Sequence, residues 1–473
     1  MHNTKSAFQK PLQAAFDHAL EYLDSLEESP VGATVDVRTL RSRLRRSLTD
    51  EGVPPEQVVT DLVADVEGGI LGSAGGRFFA WVIGGSLPAA LAADWLTSAW
   101  DQNGALYACS PAAAVVEEVA GDWLKELLKI PAASSFALVS GCQMAHVTCL
   151  AAARHALLAG RGWDVEQQGL FGAPSIQILS SEARHGSFER AVRLLGIGQS
   201  QVRYLPTNQL GQLQPDALEN ALSEKKSVPA ILLLQAGDIN IGAFDSFKQL
   251  IPIARRYGVW VHIDGAFGLW AAASRAYSHL LDGASSADSW ATDGHKWLNV
   301  PFDCGYAFVA NRDAHRAAMS IRAAYLTHAA DVRDQIDWNP EWSRRARGFS
   351  TYAALRQLGR HGVAALVENC CRHASSLVAR IGGLPGAEVV WEPTLNQGLV
   401  RFLDPKPHAS EEDHDRRTDK VIAAIDATGG AFFGGTEWRG RRAMRVSVCS
   451  WQTSEPDVDT AVNAVRNVLN AVG

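Results

Sequence analysis

The sequence lacks the features that nucleic-acid-binding and membrane-spanning proteins need. Its 473 residues include 44 Lys and Arg against 51 Asp and Glu, which gives a net charge of −7 and argues against a nucleic-acid partner. No apolar run reaches about 18 residues without a charge, so no membrane span is expected. The first ten residues lack the apolar core of a signal peptide. We therefore expect neither a nucleic-acid partner nor a membrane location.

Cysteine is scarce and has no pattern of pairs. The seven cysteines, an odd number, lie scattered between Cys109 and Cys449 without the spacing of a zinc site. Cys370 and Cys371 are adjacent, and we expect no disulfide between them. Because reduced thiols are typical of the cytoplasm, the sequence predicts a cytoplasmic protein without a metal site.

The remaining composition is that of an ordinary globular protein, with 47% hydrophobic and 20% charged residues, 41 Gly and 19 Pro. A chain of this length has room for a large core and more than one domain. We predict an N-terminal helical segment over 1–77, a large domain over 78–350 and a small C-terminal domain over 351–473. Within the first segment, apolar periodicity predicts helices near 10–28, 37–48 and 55–68.

The predicted large domain alternates short apolar runs with helical segments. The strand-like runs are 136–139, 176–179, 230–234, 259–263 and 306–309. Strands that alternate with helices predict an α/β fold with a mostly parallel, doubly wound sheet. Beyond residue 350 the pattern restarts with a helix, continues with strands near 388–391, 398–402 and 444–449, and closes with a helix from 457. This predicts a smaller C-terminal α/β domain.

Two short segments place a carboxylate and an amine in apolar surroundings. Asp264 ends the apolar strand 259–263, where ligands lie in open α/β sheets, and a buried carboxylate needs a cationic partner. Lys296 follows His295 in a loop of small and apolar residues, where burial would disfavour its ammonium form and free the amine as a nucleophile. An amine and a carboxylate are the groups that pyridoxal phosphate needs, because its aldehyde requires an amine and its pyridine nitrogen requires a carboxylate. A structural lysine and a helix-capping aspartate are the alternatives.

An ordered set of motifs along nearly the whole chain resembles one enzyme family. The motifs are Phe78-Phe-Ala-Trp81, Ser110-Pro-Ala, His295-Lys296-Trp-Leu and the strand Met444–Cys449. The chain resembles the pyridoxal-phosphate-dependent group II decarboxylases, which include aromatic-L-amino-acid and glutamate decarboxylases. This resemblance implies a fold-type I enzyme with a seven-stranded sheet in its large domain. It also implies a homodimer in which the N-terminal segment contacts the partner subunit.

The resemblance implies a phosphate site at the turn after strand 136–139. Gly141, Cys142 and Gln143 match the family's phosphate-holding segment, and a helix N-terminus is a general phosphate site. A bare strand–glycine–helix turn is the alternative. The sequence departs from the family here, since Cys142 and Gln143 replace a small residue and a Ser or Thr, and Met144 replaces a common glutamate.

Five further residues take roles around the cofactor by the same resemblance. His185, in a His-x-Ser-x-Glu-Arg-Ala context, matches the histidine that stacks on the cofactor ring. Asp264 matches the carboxylate for the pyridine nitrogen, and Ala266 and His295 match cofactor contacts. Lys296 matches the lysine that carries the cofactor. A core or surface histidine is the alternative for His185.

The resemblance assigns three aromatic residues to substrate and catalysis. Tyr325, in a Tyr-Leu-x-His context within a long polar stretch, matches a catalytic tyrosine on a mobile loop, which protonates Cα after carbon dioxide is lost. Trp81 and Tyr107 match substrate-pocket segments. Related plant enzymes that form aldehydes carry phenylalanine where this sequence has Tyr325. The alternatives are an exposed linker tyrosine and ordinary core aromatics.

Three polar residues have less certain roles. Asp238 and Asn240 follow strand 230–234, near the cofactor in the family, and turn formation is their alternative role. Asp293 stands where the family often has an amide, and a carboxylate there would repel a phosphate.

The residues and the resemblance together predict decarboxylation of an L-amino acid to its amine, with Lys296, Asp264, His185 and Tyr325 as the catalytic set. Three alternatives stay open. The first is a pyridoxal-dependent aldehyde synthase. The second is a carbon–carbon lyase of the sphingosine-phosphate lyase kind, which would need further phosphate-binding cations such as Arg344, Arg345 and Arg347. The third is a non-enzymatic binding or regulatory protein.

Overall fold

The computed structural model of the chain describes residues 4–321 and 332–471. In chain order the strands are β1 (Phe78–Phe79), β2 (Ser135–Val139), β3 (Gln177–Ser181), β4 (Val202–Leu205), β5 (Ala230–Gln235), β6 (Trp260–Asp264), β7 (Ser289–Asp293), β8 (Gly305–Val309), β9 (Ala387–Trp391), β10 (Gln397–Phe402), β11 (Phe432–Trp438) and β12 (Arg441–Ser447).

The α-helices are α1 (Thr4–Ser25), α2 (Val37–Leu44), α3 (Pro55–Val66), α4 (Pro88–Trp100), α5 (Pro111–Leu127), α6 (Cys142–Ala159), α7 (Val165–Gln168), α8 (Gly186–Leu194), α9 (Pro215–Glu224), α10 (Phe247–Arg256), α11 (Arg312–Met319), α12 (Gly348–Gly382), α13 (Glu411–Thr428) and α14 (Glu455–Ala471). Within the described residues, no helix has both the length and the apolar character to cross a membrane.

The chain divides into two compact units. The larger comprises Gly84–Ser375 and Trp391–Leu399. The smaller comprises the chain up to Ile83, Ser376–Val390 and the chain from Val400. The domain boundaries expected from the sequence, at 77/78 and 350/351, stay predictions.

The larger unit is built on one seven-stranded sheet in the order β2-β8-β7-β6-β5-β3-β4. Five neighbouring strands, from β7 to β4, run parallel, and β8 is antiparallel to both β7 and β2. All strands but β4 are buried along their whole length. Burial on both faces explains the continuous apolar runs of the sequence. The predicted α/β fold with a mostly parallel sheet is confirmed.

Two strands of this sheet, β4 and β7, have no counterpart among the predicted runs. β4 lies at the sheet edge and is only partly buried, so its sequence carries little apolar signal. β7 is fully buried but contains Ser289, Thr292 and Asp293. Its polar groups are tolerated because they are hydrogen-bonded, as when Ser289 Oγ accepts from the Trp260 indole at 2.9 Å.

The topology brings several chain segments together at the end of the sheet where the parallel strands terminate, called here its carboxyl edge. β3, β6 and β7 end at this edge, and β2 passes there into α6 through Gly141. β8 starts at the same edge, because Gly305 pairs with both Val139 and Asp293. A side chain at Gly305 would lie 2.5 Å from the Gly141 Cα, so the close approach of the two segments requires glycine. Ligands bind at this edge in open α/β sheets.

The smaller unit contains a five-stranded sheet in the order β1-β11-β12-β10-β9. Its N-terminal and C-terminal parts are joined by Arg77, whose buried guanidinium donates to five backbone carbonyls. These belong to Leu26, Glu27, Ser29, Gly429 and Gly430. A buried cation surrounded by carbonyl dipoles meets the hydrogen-bonding requirement of burial. Strand β11, which contains Gly434 and Gly435, was not among the strands predicted for the C-terminal part of the chain.

Candidate active site

The first turn of α6, the predicted phosphate site, lies at the carboxyl edge of the seven-stranded sheet. Its first backbone N–H, that of Cys142, does not point at open space. It donates to the Asp293 carboxylate at 2.5 Å. The amide nitrogen Nε2 of Gln143 is buried and has no hydrogen-bond partner among the residues that the structure describes. The turn therefore offers an unused donor, while a carboxylate already lies at the positive end of the helix.

Lys296 lies beside two carboxylates at this edge. Its Nζ is 2.9 Å from Asp293 Oδ2. Burial disfavours the ammonium, but the negative charges of Asp293 and Asp264 outweigh it, so the pKa of Lys296 lies above its usual value. The expectation that burial would leave the Lys296 amine neutral is therefore wrong for the chain without its cofactor. Asp293 holds Lys296 in its charged form.

Asp264, at the end of β6, is buried and anionic. Burial disfavours its charge, yet His146, followed by His185 and Lys296, lowers the pKa of Asp264 below its usual range. His146 Nε2 lies 3.4 Å from Asp264 Oδ2. Asp264 Oδ1 also accepts the Ala266 N–H at 3.1 Å. The cationic partner that the sequence required for Asp264 is thus a set of nearby basic side chains.

A hydrogen-bonded chain runs from His146 into the core. His146 Nδ1 is 2.9 Å from His262 Nε2, and His262 Nδ1 is 2.9 Å from Ser289 Oγ. Burial, with His146 as its neighbour, lowers the pKa of His262 to about 3, so this ring is neutral at neutral pH. Neither histidine was predicted from the sequence as part of the site. Two spacings could have indicated them, since Cys142 and His146 share one helix face and His262 and Asp264 share one strand face.

The other predicted cofactor residues lie at the same edge. His185 is exposed, caps the N-terminus of α8, and its Nδ1 is 2.8 Å from Ser187 Oγ. The carbonyl of Ala266 accepts the Asp293 N–H at 3.0 Å, which ties the ends of β6 and β7 together. His295 stacks on Phe302 with ring centroids 4.4 Å apart, and burial lowers its pKa. Their roles toward the cofactor stay predictions.

Two residues were predicted for substrate binding and one for proton delivery. Tyr107, in the larger unit, is half-buried and its backbone N–H donates to Asp334 at 2.9 Å. Trp81, in the smaller unit, is 51% exposed and packs against Phe432 with a centroid distance of 5.4 Å. Tyr325 lies outside the described residues. Asp238 accepts the N–H groups of the next turn, which agrees with the turn-forming alternative.

The donor set at the sheet edge fits pyridoxal phosphate. Lys296 supplies an amine for the aldehyde, and Asp264 is an anionic carboxylate able to keep a pyridine nitrogen protonated. Gln143 Nε2 at the start of α6, which has no partner within residues 4–321 and 332–471, is a donor suited to a phosphate oxygen. Asp293 has a charge that is unfavourable for a phosphate, and its ion pair with Lys296 offsets that charge only in part.

Comparisons with known proteins agree with this set of residues. The chain is 29% identical over 490 residues to tryptophan decarboxylase 1 of Oryza sativa subsp. japonica, covering 96% of this chain and 92% of that protein. It is 27% identical over 479 residues to phenylacetaldehyde synthase of Petunia hybrida, covering 96% and 93%. Its fold matches the crystal structure of Oryza sativa TDC with PLP and tryptamine, with a TM-score of 0.92, 25% identity and coverage of 100% and 99%.

Residues 38–403 match the sequence model described as the pyridoxal-dependent decarboxylase conserved domain. This match spans well over half of the chain and includes every segment at the carboxyl edge of the seven-stranded sheet. The protein therefore belongs to the pyridoxal-dependent decarboxylase family and is a carboxy-lyase whose cofactor is pyridoxal phosphate.

Proposed function

We propose that this enzyme removes the α-carboxylate of an L-amino acid and releases the amine. The observation that carries the proposal is the juxtaposition of the Lys296 amine with the buried, anionic Asp264 at the carboxyl edge of the sheet. When bound, pyridoxal phosphate supplies an electron sink for the electron pair that the Cα–carboxylate bond releases. The chain supplies the groups that hold the cofactor, orient the substrate and return a proton.

Each of these groups has a proposed role. Lys296 carries the cofactor, and Asp264 keeps the pyridine nitrogen protonated because its own charge is maintained inside the protein. His185 stacks on the ring, and Ala266 and His295 contact it. Gly141, Cys142 and Gln143 bind the phosphate through the first turn of α6, with Gln143 Nε2 as an available donor. Trp81 and Tyr107 contribute to the substrate pocket.

The choice of amine over aldehyde rests on Tyr325. A phenol that delivers a proton to Cα and excludes solvent favours release of the amine. Where that proton is delayed, dioxygen reacts instead and the products are aldehyde, ammonia and peroxide. The relatives include a tryptophan decarboxylase and a phenylacetaldehyde synthase, so sequence likeness supports both outcomes. The tyrosine in this sequence supports the amine.

The carbon–carbon lyase is less well supported. That reaction would need cations for a second phosphate, and the sequence offered Arg344, Arg345 and Arg347. Each of these is paired with carboxylates. Arg344 pairs with buried Glu117, Arg345 with Asp94 at 2.9 Å, and Arg347 with Asp303 and Glu341, both at 2.9 Å. Cations that already have anionic partners are poor candidates for a second phosphate site.

The substrate class, assembly and location complete the proposal. The named relatives handle tryptophan or yield phenylacetaldehyde, so aromatic amino acids are the first class to test. Exposed apolar side chains along α1 support a homodimer. The seven cysteines, all within the described residues, form no disulfide, which supports a cytoplasmic location.

The experiment is to incubate the purified enzyme with each L-amino acid and to measure carbon dioxide, amine and peroxide. We expect carbon dioxide and amine in equal amounts with little peroxide. Tyr325→Phe should shift the products of the same substrate toward peroxide and aldehyde, whereas Tyr257→Phe, a tyrosine hydrogen-bonded to Glu219, should not. Mostly peroxide from the wild type would refute amine release. An unchanged amine-to-peroxide ratio in Tyr325→Phe would refute the role of Tyr325.

A further inference from the structure

Three buried side chains of the cofactor site, Cys142, His146 and Asp264, point their metal-binding atoms at one another. These atoms all lie within 4.8 Å of each other. Cys142 and His146 are one helical turn apart on α6, and Asp264 ends β6. A thiol, an imidazole and a carboxylate are the three ligand types that zinc prefers.

The thiol and the imidazole face different oxygens of the Asp264 carboxylate, and one atom from each of the three residues lies within 4.8 Å of the other two. Each printed separation is close to that between two ligands of one metal ion. Cys142 Sγ lies 3.6 Å from His146 Nε2 and 3.8 Å from Asp264 Oδ1, and His146 Nε2 lies 3.4 Å from Asp264 Oδ2. Tetrahedral zinc with ordinary bond lengths separates sulfur from nitrogen or oxygen by about 3.6 Å, and nitrogen from oxygen by about 3.3 Å. The imidazole–carboxylate distance is also longer than an ordinary N–H···O hydrogen bond, which spans about 2.7–3.2 Å.

The surroundings of His146 are those of a metal-binding histidine. Such a histidine binds the metal through one ring nitrogen and donates the N–H of its other ring nitrogen to an acceptor. His146 Nδ1 faces His262 Nε2 at 2.9 Å, and His262 Nδ1 faces Ser289 Oγ at 2.9 Å. This chain of hydrogen bonds orients the His146 ring with Nε2 toward Cys142 and Asp264. It is independent of the spacing argument and supports the same site.

The charges at the site also balance. Coordination replaces the thiol proton of Cys142 and the Nε2 proton of a charged His146, and both leave to solvent, so a divalent ion meets one thiolate, one neutral imidazole and one carboxylate. The adjacent Lys296 and Asp293 neutralise each other at 2.9 Å. A buried dication is thereby compensated without a further counterion. Three protein ligands leave a fourth position for water.

We propose that Cys142, His146 and Asp264 form a zinc site in the cofactor-free chain, and that zinc and pyridoxal phosphate exclude each other there. The zinc site follows from the geometry alone. The exclusion rests in addition on the role of Asp264 proposed above, since a dication bound to Asp264 neutralises the negative charge that would keep the pyridine nitrogen protonated. Zinc thus holds the enzyme in an inactive, cofactor-free state until it is removed.

The site is tested by titrating the cofactor-free full-length chain with Co²⁺, which reports thiolate ligation through a sulfur-to-cobalt charge-transfer band. We expect one equivalent per chain and a clear band. Cys142→Ala should lose the band, and His146→Asn should weaken Co²⁺ binding at least about tenfold. Cys149→Ala, which changes another buried cysteine of α6, should keep the band. Absence of the band in the wild type overturns the site whether or not the variants fold.

The exclusion is tested by metal analysis after dialysis against Zn²⁺ with and without excess pyridoxal phosphate. We expect bound zinc to fall at least about tenfold when the cofactor is present, and Zn²⁺ to slow cofactor uptake by the same chain. A chain that holds one equivalent of each at once overturns the exclusion and leaves the zinc site standing. Loss of the charge-transfer band in Cys149→Ala together with its retention in Cys142→Ala would assign the metal to another thiol and overturn the site.

Discussion

At the scale of single residues, Asp293 is the unusual feature of this site. A carboxylate at a helix N-terminus is electrostatically favourable, and Asp293 gains both the α6 dipole and the Lys296 ammonium. An anionic phosphate would have to approach the same helix end against that charge. Asp293 therefore stabilises the cofactor-free state more than the loaded one. It also holds Lys296 in the form that cannot act as a nucleophile.

Asp293→Asn should bind pyridoxal phosphate more tightly, by about tenfold or more. The asparagine oxygen can still accept the Cys142 N–H, while the repulsion of the phosphate disappears and the pKa of Lys296 falls toward its usual value. The measurement is the dissociation constant of the cofactor by equilibrium dialysis. Asp282→Asn, which removes an exposed carboxylate paired with Lys248, serves as control and should change nothing. Weaker binding by Asp293→Asn would contradict this account.

A second residue, Asp245, links stability to pH. Its two buried oxygens accept the N–H groups of Leu213 and Gln235, both at 2.7 Å. Burial, with a smaller effect of Asp238, raises the pKa of Asp245 to about 6. Because the folded pKa exceeds the unfolded value, folding takes up a proton between the two. The contribution of this group is complete below about pH 4 and is lost as the pH rises through about 6.

Comparison of the wild type with Asp245→Asn should reveal this linkage. The free energy of unfolding of the wild type should fall relative to that of the variant by about 1 kcal/mol between about pH 5 and about pH 7.5. Urea unfolding at a series of pH values measures the difference. The variant loses an acceptor and should be less stable throughout, so the slope with pH is the informative quantity. A difference that rises with pH would have the wrong sign.

At the scale of elements, helix α12 contains a break at Gly359 that the sequence pattern did not predict. Gly359 has φ +59° and ψ −177°, a conformation open almost only to glycine, and its surroundings leave space for a side chain. The break therefore depends on backbone freedom and not on a lack of room. It lets two helical stretches follow different directions within one continuous element.

Gly359→Ala should destabilise the protein by about 2 kcal/mol through backbone strain alone. Gly52→Ala is the matched control, because that glycine also has space for a side chain and lacks the positive φ. Chemical unfolding of both variants gives the comparison. Equal stability of the two would show that α12 relieves the strain by rearranging.

At the scale of the whole molecule, α1 carries apolar side chains that a lone chain would leave in water. Phe8, Leu12, Phe16 and Leu20 recur every four residues and are 70%, 60%, 45% and 45% exposed. Residues at this spacing form one face of the helix. A stripe of this kind is typical of a contact between subunits. It is the physical basis for the proposed homodimer.

The double change Phe8→Glu with Leu12→Glu should weaken the dimer, because it places two charges in the contact. Light scattering should then give a mass nearer that of one chain, against about twice that mass for the wild type. Gln9→Glu with Gln13→Glu adds the same charges at neighbouring exposed positions and is the control. A wild type that is a fully active monomer would refute the dimer outright.

The sequence by itself determined the fold class and two residues of the candidate cofactor site, Lys296 and Asp264. Strands β2, β3, β5, β6 and β8 were predictable because strands buried on both faces tend to contain short apolar runs. Lys296 and Asp264 could be selected because a charged side chain in apolar surroundings costs free energy unless it has a partner or a function. Strands β4 and β7 escaped prediction, since one is exposed at an edge and the other is polar but hydrogen-bonded.

Only the tertiary structure decided which groups surround those two residues. His146 reaches Asp264 because α6 packs against the end of β6, and Asp293 reaches the Cys142 N–H because β7 lies between β6 and β8. The sign of the Lys296 pKa shift followed from these neighbours and not from burial. Periodicity along a chain specifies which residues are buried. The contacts between residues far apart in sequence depend on strand order and helix packing, and these set the charge at the site.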